Sequence, residues 1–242
     1  MTQVVRKEGK GGAATPDLGG GLTRSFPRLK ARHRAEREAY TTNLSLRVHR
    51  ALSWLDGSEQ LAAQDERDGQ FLFLWIAFNA AYATEIEDRD RPYEQAAFLR
   101  FLRKLVKLDE KNGRVEELLW KEFSGSIRVL LDNPYVYDAF WAFQKGRLTE
   151  DEWKARFAED KHTAQRALTR RNTVRVLSIV LSRIYVLRNQ LVHGGATWKG
   201  GVNRDQLRDC TNFTAKLVPL VVEIMMDHPQ TLWGDACYPV VK

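Results

Sequence analysis

The chain has 242 residues, 43% hydrophobic and 29% charged, with a formal net charge of +7 from 38 Lys and Arg against 31 Asp and Glu. This balance predicts a globular core, excludes a chain that is disordered throughout, and favours polyanionic partners such as nucleic acid. No apolar stretch reaches the roughly 20 residues of a membrane-spanning helix, no charged-then-apolar leader opens the chain, and two cysteines are too few for a disulfide framework. We therefore expect a cytoplasmic protein with no membrane segment.

The N-terminal region is expected to change from coil to helix. Residues 1–23 are rich in glycine and almost lack apolar anchors, which predicts an unordered leader before a single domain over residues 24–242. Six basic residues then crowd residues 24–37, where the simplest interpretation is a solvated face. An amphipathic helix follows from Tyr40 and is expected to end at Asp56-Gly57.

An aromatic helix is predicted next, followed by a more broken middle segment. The helix opens at Asp65 and continues to Ile86, with apolar positions spaced for burial on most sides. Residues 94–160 carry shorter helical patterns and more Gly and Asn in their loops, so this segment is predicted to be an insertion on the bundle. Just before it, Pro92 suits the first turn of a third helix, and within it Thr149 with Glu152 has the spacing of a capping box. Turns are predicted at Asn112-Gly113, at Asn133-Pro134 and at Gly146.

Two long helices close the predicted fold. The longest unbroken pattern covers residues 173–192, and Gly194-Gly195 should stop it. Asn203 with Gln206 is expected to cap a last helix, which is kinked at Pro219 and stopped by Pro229. Because no run alternates with period two for long, we predict an all-α helical bundle.

The chemistry that the sequence offers is concentrated at the end of the 173–192 helix. The chain lacks the phosphate-binding glycine loops, zinc signatures and serine-hydrolase elbow of common enzyme classes. Arg188 falls on the apolar stripe of Leu177, Leu181 and Ile184, where a buried charge needs an acid, a ligand or a subunit cleft. Asn189 and His193 share a helix face, and the C-terminal end of a helix favours an imidazolium. A purely structural interpretation stays open, in which Arg188 forms a salt bridge at the edge of the core and His193 caps the helix.

Two segments of the sequence resemble the HEPN family of helical domains. Residues 185–195, which read Tyr-Val-Leu-Arg-Asn-Gln-Leu-Val-His-Gly-Gly, are similar to its Arg-Asn-x3-His motif closing a long helix. Residues 71–82 are similar to the aromatic early helix of the Apea-like HEPN branch. The resemblance covers residues 40–90 and 165–228, and no acidic partner for Arg188 is evident upstream.

The resemblance implies a dimeric helical bundle in which two motif helices meet in a basic cleft. It implies a metal-independent RNA endonuclease without a cofactor, with Arg188, Asn189 and His193 as the catalytic residues. We expect Arg183 and Lys199 to contact RNA. The family also implies a toxin–antitoxin or anti-phage defence setting, with an antitoxin or regulatory protein as a further partner. Two alternatives remain: a non-catalytic HEPN module that binds RNA or a partner protein, and a structural helical protein with an accidental motif.

Residues elsewhere receive structural interpretations. Asn79 is predicted to be a buried, hydrogen-bonded amide of the aromatic helix. The aromatic segment 135–143 is predicted to form the core of the middle segment, although single-stranded RNA is often gripped by such rings. His49, His162 and His228 have no partners at metal-ligand spacing and are interpreted as surface or packing residues.

Overall fold

The computed structural model describes residues 24–83, 91–201 and 203–238, with the backbone alone for residues 91–94. The described part contains ten α-helices and no extended strand, so the predicted all-α fold is confirmed. The predicted unordered leader, residues 1–23, lies outside the described residues. None of the described helices is both long and apolar enough to cross a membrane.

The helices follow one another with short connections. Their bounds are α1 Ser25–Glu36, α2 Thr42–Ala63, α3 Arg67–Tyr82, α4 Arg91–Leu108, α5 Arg114–Glu117, α6 Ser124–Asp132, α7 Asp138–Gln144, α8 Glu150–Thr169, α9 Thr173–Val192 and α10 Arg204–Asp227. Two 3-10 turns, Arg37–Ala39 and Pro134–Val136, and a π-helical turn, Leu118–Glu122, lie between them.

The core is built on the pair α2 and α3, which pack along each other and against α10. Helix α1 covers α2 and α10, and α9 packs against α3, α4, α6 and α8. Buried side chains from these helices form one continuous hydrophobic cluster, represented by Leu52, Phe78, Leu181 and Val221. The middle segment contributes Leu105, Leu119, Ile127 and others to the same cluster, so its helices share the core of the bundle.

Helix α2 does not end at Asp56-Gly57 as predicted, but continues to Ala63. Gly57 lies where α2 comes close to α3. A Cβ atom on Gly57 would lie 2.8 Å from the ring of Phe73 on α3, closer than real Cβ contacts come. The glycine is therefore needed for the close approach of α2 and α3 and is not a helix stop.

The start of α3 also differs from the prediction by two residues. Asp65 has a left-handed φ of 51° and lies before the helix, which begins at Arg67. Glu66 takes the N-cap position, where its carboxylate accepts a hydrogen bond from the Gly69 amide at 2.7 Å. The helix ends at Tyr82, and the predicted continuation to Ile86 lies outside the described residues.

Of the helix caps predicted in the middle and C-terminal segments, one is present and one is absent. The capping box of Thr149 and Glu152 is present at the start of α8, as predicted. Asn203 has a φ of 60° and makes no side-chain cap, so the predicted capping of α10 by Asn203 with Gln206 is wrong. Helix α10 has 24 residues against 20 in α9, so α9 is not the longest helix, and Pro219 lies buried within α10.

The basic N-terminal stretch, residues 24–37, forms α1 and the residue on either side of it, and three of its arginines are more than a solvated face. Arg24 donates to Asp56 and Glu59 of α2 at 2.8 and 3.2 Å. Arg28 pairs with Glu223 of α10, and Arg32 pairs with Asp227 of α10 at 2.8 Å. Hydrogen bonds from Arg32 and Arg114 lower the pKa of Asp227 even though burial alone would raise it. These ion pairs attach α1 to the bundle.

Candidate functional site

The helix that carries the predicted motif has the predicted bounds, Thr173–Val192. At its start, the Asn172 side chain accepts a hydrogen bond from the Arg175 amide at 3.0 Å. At its end, the amides of Gly194 and Gly195 donate to the carbonyls of Leu191 and Gln190 at 3.2 and 2.7 Å. Gly194 has a φ of 69°, and this pattern is a Schellman C-cap that leaves His193 as the capping residue.

One face at the C-terminal end of α9 turns away from the core. Tyr185 is 49% exposed and Val192 is 48% exposed, and Arg188 and Asn189 are half-buried between them. At 100° per residue these four side chains fall within an arc of about 100° on the helix. We call these four residues, together with His193 at the helix end, the motif face.

Arg188 lies at the border of the core. The predicted stripe is buried at Leu177, Leu181 and Ile184, but Arg188 itself is half-buried. Its Nη1 donates to Oδ1 of Asn189 at 2.8 Å. Its guanidinium lies 5.9 Å from the ring centre of Tyr185, whose ring lies 5.8 Å from that of the buried Trp75 on α3. Arg188 is thus positioned by an amide and an aromatic ring.

The charge of Arg188 is not neutralised within the described residues. It forms no ion pair there, and its hydrogen-bond acceptor is the neutral amide of Asn189. This agrees with the sequence, in which no acidic partner for Arg188 is evident upstream. A guanidinium held in place by a neutral acceptor keeps its charge available for an anion.

His193 is exposed and stands at the end of the motif face. Its backbone amide donates to the carbonyl of Asn189 at 3.0 Å. Within the part of the chain that the structure describes, no hydrogen bond joins its imidazole to Arg188 or Asn189. A single subunit therefore brings Arg188 and Asn189 into contact and leaves the His193 side chain open to solvent.

The loop after the motif is tied to the start of α3 by contacts that the sequence did not predict. Trp198 is 71% exposed, but its Nε1 donates to Glu66 at 2.9 Å. Arg204 makes a two-pronged ion pair with the buried Asp68, at 2.8 and 2.9 Å. Lys199 is exposed, with a φ of 55° and its Nζ 4.8 Å from the Trp198 ring. The contacts of Trp198 with Glu66 and of Arg204 with Asp68 join residues more than 130 positions apart, so no local sequence pattern predicts them.

Arg183, the other predicted RNA contact, lies beneath the surface. It is 5% exposed, its guanidinium lies 4.2 Å from the ring centre of Tyr137, and burial lowers its pKa. Five positions along a helix separate it from Arg188 by roughly 140°. The two arginines therefore face different surroundings, and Arg183 does not belong to the motif face.

The aromatic segment 135–143 forms most of the second 3-10 turn and of α7, and it packs against α8 and α9. Phe140 lies 5.3 Å from both Tyr135 and Trp153, measured between ring centres, and all of these rings remain partly exposed. Gln190 of α9 donates to the Tyr135 carbonyl at 2.6 Å, which connects the segment to the motif helix.

Asn79 is predicted to be a buried, hydrogen-bonded amide, but the residue is only partly buried and its side-chain carbonyl oxygen does not fit the prediction. Oδ1 of Asn79 is buried and has no hydrogen-bond partner among the described residues. Such an oxygen is unusual, because most buried polar atoms are paired.

Comparison of the chain with known proteins adds no assignment. No protein-family model, no curated protein and no solved structure matches it. Within the described residues, no group of three or more His, Cys, Asp or Glu side chains is arranged to hold a metal ion.

Proposed function

We propose that this protein is a metal-independent RNA endonuclease of the HEPN type, acting as a homodimer whose subunits meet at the motif face. The observation that carries the proposal is the make-up of that face. It combines an un-neutralised guanidinium, an amide beside it and an exposed imidazole at the helix end. Half-exposed Tyr185 and Val192 flank them and offer an apolar surface to a second subunit.

RNA cleavage without a metal requires three events at one phosphodiester. A base removes the proton of the 2′-hydroxyl, and the 2′-oxygen forms a bond to phosphorus. The bond from phosphorus to the 5′-oxygen then breaks while an acid protonates that oxygen. The products are a 2′,3′-cyclic phosphate and a 5′-hydroxyl end, and no co-reactant is consumed.

In this proposal His193 carries the proton transfers. One imidazole cannot act as the base and as the acid at the same moment, and the motif face of one subunit contains a single histidine. Dimerisation through that face provides His193 of the partner subunit for the second transfer. The solvent-exposed position of the imidazole in one subunit fits a site that two subunits complete.

Arg188 stabilises the negative charge that builds on the phosphoryl oxygens. Its planar fork of N–H donors suits two of these oxygens at once. Asn189 orients the guanidinium by accepting one hydrogen bond from it, and because the amide is neutral it does not neutralise the positive charge. Lys199, exposed in the following loop, is assigned to the RNA backbone.

The resemblance to HEPN proteins supports a setting in toxin–antitoxin or anti-phage defence. An RNase in that setting needs restraint in its own cell, so an antitoxin or regulatory protein is part of the proposal. The chain would act in the cytoplasm, where its RNA substrates are.

A non-catalytic RNA-binding module is the second candidate function. The observation that favours it is the lack of a hydrogen bond between the His193 imidazole and the rest of the motif in the described residues. The two candidates differ in one result, because a binding module leaves RNA intact.

The test is an RNase assay on purified full-length protein with labelled RNA in the presence of EDTA. We expect Arg188→Ala and His193→Ala each to lower the cleavage rate by on the order of 10²–10⁴. Arg128→Ala and His162→Ala are matched controls, because both residues are exposed and lie outside the motif, and they should cut like the wild type. Cutting that continues in His193→Ala, or that stops with EDTA, would contradict the catalytic assignment. Wild-type protein that binds RNA through Arg188 but never cuts it would establish the binding module instead.

A further inference from the structure

A cavity of about 230 Å³ lies beside α9, nearer to the start of the helix than the motif face. It is bordered by α9, α8 and the segment that runs from the 3-10 turn into α7, and it is open to solvent on one side. Its polar lining includes Tyr137, Asp160, Arg175, Ser178, Ser182 and Arg183. A water molecule takes up about 30 Å³ of liquid, so the cavity has room for a small organic molecule.

Arg183 is the unusual residue of this cavity. It is 95% buried, yet its Nη1 has no hydrogen-bond partner among the described residues, and the guanidinium forms no ion pair there. The face of the guanidinium is covered by the Tyr137 ring at 4.2 Å. A buried charge without a hydrogen-bonding partner is costly, so its presence indicates that a partner binds from outside the chain.

The carboxylates in the cavity do not serve as that partner. Asp160 accepts a hydrogen bond from the Tyr137 hydroxyl at 2.7 Å and makes none with Arg183. Asp138, which is exposed at the start of α7, also lines the cavity, and its carboxylate can accept a hydrogen bond from a hydroxyl group of a ligand. Asp160 and Asp138 therefore form no ion pair with Arg183 among the described residues, although burial lowers the Arg183 pKa and the nearby charge of Asp160 opposes that shift.

The remaining donors point to an anion with several oxygens. Arg175 lines the same cavity from an exposed position and forms no ion pair among the described residues, so it supplies a second guanidinium. The hydroxyls of Ser178 and Ser182 already donate to the carbonyls of Arg175 and Ser178, each at 2.9 Å, so the two guanidinium groups are the donors that the cavity offers to an anion. Two guanidinium forks match the three terminal oxygens of a phosphoryl group better than the two of a carboxylate. Val136, Ile179 and Val186 add apolar surface for the rest of the molecule.

We propose that this cavity binds a small phosphate monoester, whose phosphoryl group is held by Arg183 and Arg175. This site is separate from the motif face and goes beyond the proposed nuclease function. Its ligand is a small molecule, because Arg183 is too deeply buried for the backbone of a folded or polymeric partner to reach.

The test measures binding of ribose 5-phosphate by calorimetry on the full chain, with acetate at equal ionic strength as the comparison. We expect saturable binding of one ribose 5-phosphate per chain and none of acetate. Arg183→Met should weaken binding at least tenfold. This variant should fold, because replacing a buried charge by an apolar side chain of similar size is often neutral or stabilising. Arg128→Met removes the same charge from an exposed position outside the cavity and should bind like the wild type.

A second variant keeps both charges and fills the space. Ser182→Leu places a larger side chain at the cavity wall and should also abolish binding of ribose 5-phosphate. The proposal is overturned if the wild type binds no ribose 5-phosphate, if acetate binds equally well, or if Arg183→Met and Ser182→Leu bind it as the wild type does. No RNA is present in this experiment, so its failure leaves the nuclease proposal untouched, and failure of the RNase assay leaves this one untouched.

Discussion

Helix α9 holds the guanidinium groups of Arg188 and Arg183 in different surroundings. Arg188 is half-buried and bonded to Asn189, whereas Arg183 is buried against Tyr137 and keeps Nη1 unpaired. Neither forms an ion pair among the described residues. In most proteins such charges are paired, and this difference is the basis of the two proposals made above, that Arg188 and Arg183 each meet an anion from outside the chain.

Asn189 offers a direct test of the importance of that free charge. Asn189→Asp keeps the size of the side chain and puts a carboxylate where the amide oxygen lies, 2.8 Å from Arg188. The new ion pair should neutralise the guanidinium, so we expect RNA cleavage and RNA binding to fall at least tenfold while the helical circular dichroism spectrum stays the same. Asn172→Asp, at the exposed N-cap of α9, adds the same charge away from the motif and should leave cleavage intact. Full activity in Asn189→Asp would show that the free charge of Arg188 is not needed.

A different arginine, Arg47 of α2, is important for stability. It is wholly buried and donates to four carbonyls, those of Ala81, Ala83, Gly234 and Asp235. It thereby joins α2 to the end of α3 and to the segment after α10. Nothing in the local sequence marks it, because its acceptors come from distant segments.

We expect Arg47→Met to lower the free energy of unfolding by about 3 kcal/mol or more, since each buried acceptor left unsatisfied costs about 1–3 kcal/mol. Chemical denaturation followed by circular dichroism measures this loss. Arg50→Met is the matched control, because among the described residues Arg50 donates to the carbonyls of Cys237 and Tyr238, and the bond to Tyr238 is exposed, so water can replace it. A loss of equal size in the two variants would show that burial of the acceptors is not the cause.

At the level of the element, the end of α9 depends on the backbone of Gly194. Its φ of 69° is in the left-handed region, and a Cβ there would meet no atom within 4 Å, so any cost of substitution comes from the backbone alone. Gly194→Ala should lower the free energy of unfolding by about 1–2 kcal/mol, as measured by denaturation. Because the Schellman cap sets where His193 stands, cleavage should fall as well. Gly201→Ala is the control, since its added Cβ also meets nothing and its φ lies outside that region, and it should be neutral.

The elements that the sequence predicted well are those whose end signals are local. Helix α9 has the predicted bounds because Gly194 and Gly195 make their hydrogen bonds within the last turn of the same helix. Asp56-Gly57 resembles an equally local signal, but the helix continues to Ala63, and Gly57 lies where Phe73 of α3 occupies the space that a side chain would take. Periodicity within one helix cannot show what a second helix brings to it.

The difference between local and long-range contacts also decides which features of the candidate site the sequence could predict. The spacing of Arg188, Asn189 and His193 predicted a shared helix end, and the contact between Arg188 and Asn189 lies within that local range. The sequence placed Arg188 on the buried stripe and Arg183 on a surface, whereas Arg183 is the more deeply buried of the two. The Tyr137 ring that covers Arg183 comes from a segment more than 40 residues earlier, so no pattern within α9 reveals it.

For the whole molecule, the excess of basic residues is less available to partners than the net charge of +7 suggests. Arg24, Arg28 and Arg32 are engaged by carboxylates of α2 and α10. The motif face, by contrast, presents an unpaired guanidinium between exposed apolar side chains. This contrast supports the proposal that partners bind at the end of α9 and not at α1.

The oligomeric state tests whether two subunits bind each other through the motif face. If two subunits meet at the motif face, Val192 becomes buried between them, and a charge placed there should separate the subunits because a buried unpaired carboxylate is costly. We expect light scattering to give a dimer for the wild type at micromolar concentration and a monomer for Val192→Asp, with cleavage lost as the dimer is lost. Val129→Asp is the matched control, because Val129 of α6 is 57% exposed against 48% for Val192 but lies outside the motif face, so this variant should remain a dimeric and active protein. A wild-type monomer, or a Val192→Asp dimer that cuts RNA normally, would mean that the second histidine does not come from a subunit bound at this face.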